Sequence, residues 1–156
     1  MKILVLSIGK TKDTYLKDGL RIYLEKLGRY CPMEWTELPD VKNAASLPVE
    51  ELKKREAQAF LDQLLPSDHV ILLDDKGKTP TSPELAVQLQ SLMNRSVPRT
   101  VFIIGGAFGF DKKMYDTAKE KLSLSKLTFT HQMVRLIIAE QLYRAFSILN
   151  NEKYHH

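Results

Sequence analysis

The chain has 156 residues, 44% hydrophobic and 27% charged, with a formal net charge of +4 at pH 7 and a sequence pI near 9.1, a moderate bias toward polyanions that permits an RNA partner. Its length suits one domain, read here as 1–156, and no apolar run approaches the ~20 residues of a membrane span. One cysteine, Cys31, excludes an internal disulfide and no Cys/His spacing suits zinc, so a metal-free protein of a reducing compartment is expected.

Met1 to Lys10 begins like a signal peptide, but its apolar core is short, ends at Gly9 and precedes no small-residue cleavage site. Ile3 to Ile8 therefore reads as a first strand buried on both faces. From Thr14, apolar residues at helical spacing (Tyr15, Leu16, Leu20, Tyr23, Leu24, Leu27) predict a helix stopped by Gly28. Met33 to Leu38 is a second strand and Asp40 to Ser46 a loop, and Pro48 opens an amphipathic helix to Leu65 with Glu50 and Glu51 in its first turn.

His69 to Leu73 is a third strand running into a polar turn, Asp74 to Lys78. Ser82-Pro83-Glu84 supplies an N-cap, a first-turn proline and an acid for a helix to about Asn94. Val101 to Ile104 is a fourth strand, Asp111 caps a short helix through about Glu120, and the last helix spans His131 to Leu149. Strands alternating with helices predict an α/β domain with a mostly parallel sheet and helices on both faces.

Ligands of parallel sheets sit outside the carboxyl ends of the strands. The loop after strand four carries Gly105, Gly106 and Gly109, a Gly-Gly-x-x-Gly spacing that matches neither the dinucleotide nor the P-loop fingerprint. It is equally a tight turn or a loop that lets a ligand approach the backbone. The segment Leu122 to Phe129 alternates and then breaks at Lys126, as a short edge strand or as an apolar ligand wall. On the last helix Glu140, Gln141, Arg144 and Ser147 share one face, with Glu140 and Arg144 an i,i+4 pair. Arg135 lies in an apolar stripe, which suggests a partner subunit covering that face and pairing with it. His131 reads as a helix-start residue, His69 as solvated and Cys31 as inert.

Taken in order, these features resemble the small SPOUT methyltransferases of the RlmH type, which methylate N3 of a pseudouridine in the helix 69 loop of 23S ribosomal RNA. The likeness covers the whole chain: Val5 to Lys10, Leu73-Asp74 with Gly77-Lys78, Ile104 to Gly106 with Gly109, Leu122 to Ser125, His131 with Val134-Arg135, Glu140 with Leu142 to Ala145, and Tyr154-His155. The resemblance implies a C-terminal trefoil knot, a homodimer and action on assembled ribosomes in the cytoplasm, with no DNA or membrane partner.

It also implies S-adenosylmethionine as cofactor, with no metal. The residues that would hold it are Leu73, Gly105, Gly106, Gly109, Leu124, Ser125, Lys126, Leu127, Thr128 and Phe129. Arg144, Glu140, Tyr154 and His155 would form the RNA side, with Arg144 holding phosphate or stabilising charge on the uracil and His155 a candidate proton acceptor. Lys10, Lys12, Lys112 and Lys113 are candidate phosphate contacts. Ala107-Phe108 departs from the polar or acidic residues common there in the family. The competing readings are a non-catalytic dimeric RNA- or nucleotide-binding module and an enzyme using another nucleotide.

Overall fold

The computed structural model describes residues 1–154. In chain order its elements are β1 (Lys2–Ile8), α1 (Thr14–Leu27), β2 (Met33–Leu38), α2 (Val49–Leu61), β3 (His69–Lys78), α3 (Ser82–Asn94), β4 (Arg99–Ile104), α4 (Lys112–Thr117), β5 (Glu120–Leu122) and α5 (His131–Leu149), with a 3-10 turn at Ala44–Ser46. One sheet carries all five strands in the order β2-β1-β4-β3-β5, every pairing parallel.

Alternation along the central strands sorts the core into two layers, because successive side chains of a strand point to opposite faces. Ile3 and Val5, Ile71, and Phe102 and Ile104 pack with Leu27 of α1, Leu85 and Leu89 of α3, and Ile138, Leu142 and Phe146 of α5. Leu4 and Leu6, Val70 and Leu72, and Val101 and Ile103 face Ala57 and Phe60 of α2 and Met114 of α4. Helices therefore cover both faces, as the strand and helix pattern predicts.

The third strand does not end at Leu73. It pairs with β5 from Ile71 to Leu73, breaks register, and pairs again at Lys78 with Leu122. Gly77 makes this possible, since a Cβ there would lie 2.6 Å from the backbone nitrogen of Leu122. The polar residues read as a turn are thus a bulge between two pairings. The edge strand comes earlier than expected, at Glu120–Leu122, so α4 stops at Thr117 and the residues after Leu122 are loop.

Two buried polar residues correct the sequence reading. Arg135 needs no partner subunit: it is fully buried within its own chain, where α5 packs against α1 and α3. Its Nη2 donates to the Ile8 carbonyl (2.7 Å), and its Nη1 donates to the Gly9 carbonyl (2.9 Å), Thr11 Oγ1 (3.0 Å) and Glu37 Oε1 (3.1 Å). The carbonyls left free where β1 ends require such a donor. His69 is buried rather than solvated, with its Nε2 2.6 Å from Glu120 Oε1, while Gln88 donates to the other oxygen of that carboxylate.

The N-cap of α3 is Thr81, one residue before the expected Ser82, and it forms a capping box in which Thr81 Oγ1 accepts from the Glu84 amide and Glu84 accepts from the Thr81 amide. Thr81→Ala should cost about 1 kcal/mol, read as a midpoint about 2–4 °C lower in thermal unfolding.

Candidate active site

The carboxyl ends of β3 and β4 open into a cleft of about 810 Å³, within the size range of small-molecule sites. Three separate segments wall it: Leu73 and the β3 bulge, the glycine loop after β4, and the loop that leads from β5 into α5. Of the residues expected to hold a cofactor, Leu73, Gly105, Gly106, Gly109, Leu124, Ser125, Leu127, Thr128 and Phe129 line this cleft. Lys126 does not; it lies exposed on the outside of its loop.

The glycine loop closes as a tight turn, with the Gly109 amide donating to the Gly106 carbonyl at 3.3 Å. Its glycines serve different ends. Gly109 has φ +76°, a backbone conformation L side chains avoid. Gly106 is hemmed in instead, because a Cβ there would lie 2.5 Å from the buried Glu56 carboxylate. Burial, with repulsion from Asp40, raises the pKa of Glu56.

Local hydrogen bonds shape the opposite wall. The Ser123 amide donates to the Lys78 carbonyl (2.7 Å), Ser123 Oγ to the Ser125 carbonyl (2.8 Å), and the Leu127 amide to Ser125 Oγ (2.9 Å). The serines of the Leu-Ser-Leu-Ser segment therefore fold the loop, while Leu124 gives the cleft an apolar surface. Thr130 ends the wall by capping α5, and the exposed His131 and half-buried Val134 bring the first turn of that helix to the cleft. The protein packed around one side of the His131 ring removes part of its solvent and lowers its pKa, as do the nearby Arg135 and Lys12.

Sequence reasoning gave no site role to Asp74, Tyr115 or Lys53, all of which line the cleft. Tyr115 donates to Asp74 Oδ2 at 2.5 Å and the Lys76 amide to Asp74 Oδ1 at 2.8 Å. Burial works against the Asp74 charge, but these hydrogen bonds bring its pKa below the ordinary value, while burial and Asp74 push the Tyr115 phenol up to about 12. The one available signal was the acidic pair directly after an apolar strand.

Glu140, Arg144 and Tyr154 form a second cluster. Glu140 Oε1 accepts from Arg144 Nη2 (2.6 Å), Arg144 Nε (2.9 Å) and Tyr154 OH (3.1 Å). The Arg144 guanidinium lies 4.7 Å from the centre of the Tyr154 ring, and Tyr23 of α1 meets Tyr154 hydroxyl to hydroxyl at 3.3 Å. The hydrogen bond to Glu140 raises the Arg144 pKa further, fixing its positive charge. None of the three lines the cleft, and from His131 to Arg144 the helix rises roughly 20 Å. Two other members of the expected polar face turn inward, since Ser147 is fully buried and Gln141 accepts from Ser82 Oγ. His155 lies outside the described residues.

Lys10, Lys12, Lys112 and Lys113 are all exposed, Lys112 paired with Asp116 at 2.7 Å. Cys31 is buried, and burial raises its thiol pKa to about 11, which leaves it inert. Among the described residues no group of three or more His, Cys, Asp or Glu is placed to hold a metal, and no helix is long and apolar enough to cross a membrane.

A wholly parallel sheet covered on both faces, with a loop-walled cleft outside the carboxyl ends of its strands, defines an α/β protein with a candidate small-molecule site. Residues 1–155 match the family model described as "Predicted SPOUT methyltransferase", and the chain belongs to that family. It is 47% identical over 156 residues to the ribosomal RNA large subunit methyltransferase H of Cytophaga hutchinsonii, covering 100% of both chains. It is 45% identical to the protein of the same name from Parabacteroides distasonis, covering 100% of this chain and 99% of that one. Among solved structures it is similar to a probable methyltransferase from Bordetella pertussis Tohama I, with a TM-score of 0.54 at 11% identity, covering 92% of this chain and 95% of that chain. A probable methylase family protein from Haemophilus influenzae Rd KW20 superposes with a TM-score of 0.53 at 13% identity, covering 99% of this chain and 70% of that chain. At such identities the two structures speak to the fold alone.

Proposed function

We propose that this chain transfers a methyl group from S-adenosylmethionine to large-subunit ribosomal RNA, and that its target is N3 of a pseudouridine in the helix 69 loop of 23S RNA on assembled ribosomes. The observation that carries this is the convergence in one cleft of Leu73, the glycine loop and the Leu124 to Phe129 segment, three pieces distant in sequence. Family membership and the names of the full-length relatives support the reaction and the substrate class.

The residues present fit the cofactor. Leu73, Ile104, Leu122, Leu124 and Val134 offer apolar surface for adenine, and Gly105 and Gly106 expose backbone for its polar edge. When bound, S-adenosylmethionine supplies a methyl group on a sulfonium sulfur, open to in-line displacement. The cleft's leucines keep water from this electrophile, and the chain must align the attacking nitrogen and accept its proton.

Arg144 is the residue to meet the RNA. Its Nε and Nη2 are held by Glu140 and its Nη1 reaches the Tyr154 carbonyl only at 3.5 Å, so the guanidinium keeps donor capacity for a phosphate or for the negative charge that develops on the uracil ring. Glu140 is a positioning residue in this scheme, because one of its oxygens already accepts from Arg144 and Tyr154 and the other from Gln141. Tyr154 packs against Arg144, and His155, the next residue in sequence, is the candidate proton acceptor. The separation of this cluster from the cleft in one chain supports a homodimer in which one subunit's tail completes its partner's site. A C-terminal trefoil knot and a cytoplasmic location belong to the same reading.

Calorimetry tests the cofactor. S-adenosylmethionine and S-adenosylhomocysteine are expected to bind and NAD and ATP are not; binding of NAD or ATP with no response to S-adenosylmethionine would overturn the assignment.

A further inference from the structure

Phe108 sits at the tip of the glycine loop with 58% of its surface exposed, an unusual position for a large apolar side chain unless something covers it. The turn closed between Gly106 and Gly109 projects Phe108 outward. Two residues later Phe110 turns inward, against Phe60 in the core. The ring is therefore presented on a short, hydrogen-bonded turn at the edge of the cleft, which it lines. Across the cleft stand Leu127, 74% exposed, and Phe129, 38% exposed. Two walls of the mouth thus offer apolar faces to whatever enters.

The charge around this mouth is mixed. Lys76 and Asp75 of the β3 bulge are both exposed at the cleft, Lys53 of α2 lines it with its ammonium 3.4 Å from Glu50, and Lys113 stands exposed just beyond the glycine loop. Asp74 is turned to Tyr115. What singles out the occupant is the ring itself: an exposed aromatic side chain at the mouth of a cleft suits an unpaired base, since aromatic side chains stack on splayed-out bases whatever their sequence. We infer that Phe108 is a stacking face for an unpaired nucleobase of the RNA substrate at the mouth of the cleft. This rests on the proposed reading of the cleft as the site of an RNA methyltransferase.

The test compares the full-length wild type with Phe108→Ala and Phe108→Trp, using as substrate ribosomes that lack the methyl mark. Phe108→Ala should raise the KM for ribosomes about tenfold, a typical effect of losing one stacking partner. The S-adenosylmethionine Kd by calorimetry and the oligomeric state by light scattering should not change, and Phe108→Trp should restore the KM. An unchanged KM in Phe108→Ala would overturn the inference, as would a parallel loss of cofactor affinity, which would place the ring over the cofactor, or a change in oligomeric state, which would place it in a subunit contact. Absence of methyl transfer by the wild type would remove the underlying reading instead, so the two failures are distinguishable.

Discussion

Arg144→Ala should lower kcat for methyl transfer by about 10²-fold or more while S-adenosylmethionine affinity stays within about twofold, because the side chain lies outside the cleft and is assigned to charge that develops in the reaction. Arg144→Lys should not rescue it. Glu140 Oε1 accepts from both Nε and Nη2, a two-point fixture that a single ammonium cannot reproduce, and the cation over the Tyr154 ring would shift as well. Single-turnover rates with calorimetry check both variants. A shared site adds a sharper consequence: mixing Arg144→Ala protein with a cleft-defective variant should recover activity that neither has alone, since one kind of mixed dimer then holds an intact site.

The second large effect is on stability. Arg135→Ala should destabilise the fold by about 3–5 kcal/mol, the usual result of removing one partner of a buried ion pair. The Ile8 and Gly9 carbonyls, Thr11 and Glu37 would lose the donor that ties α5 to the end of β1. For a chain of this length that is a midpoint lower by roughly 10 °C, read by thermal and urea unfolding at matched protein concentration. Arg135→Met, which restores apolar volume but no donor, should remain nearly as unstable.

These two arginines show what the sequence could and could not reveal. The Glu140 to Arg144 pair was legible because i,i+4 geometry is local. What Arg135 bonds was not, because Ile8, Gly9 and Glu37 reach it only through the order of strands in the sheet. The extension of β3 was hidden for a similar reason: Asp74 to Lys78 has turn composition, and only the close passage of β5 over Gly77 returns it to the sheet. Unbroken apolar runs located the central strands, because burial on both faces leaves them almost wholly apolar. The cleft's three walls were each ambiguous from local sequence, and their meeting is a product of the parallel crossovers. Tyr23 was legible only as part of the apolar face of α1, because a tyrosine at helical spacing is indistinguishable from core until its hydroxyl's partner is known.

The central claim is tested most directly by incubating the wild-type protein with labelled S-adenosylmethionine and pseudouridylated ribosomes lacking the methyl mark, then mapping the product by mass spectrometry. The account predicts one methyl group on N3 of a single pseudouridine in the helix 69 loop of the large-subunit RNA. A methyl group on another base or on a ribose, or binding of cofactor and ribosome without transfer, would contradict it.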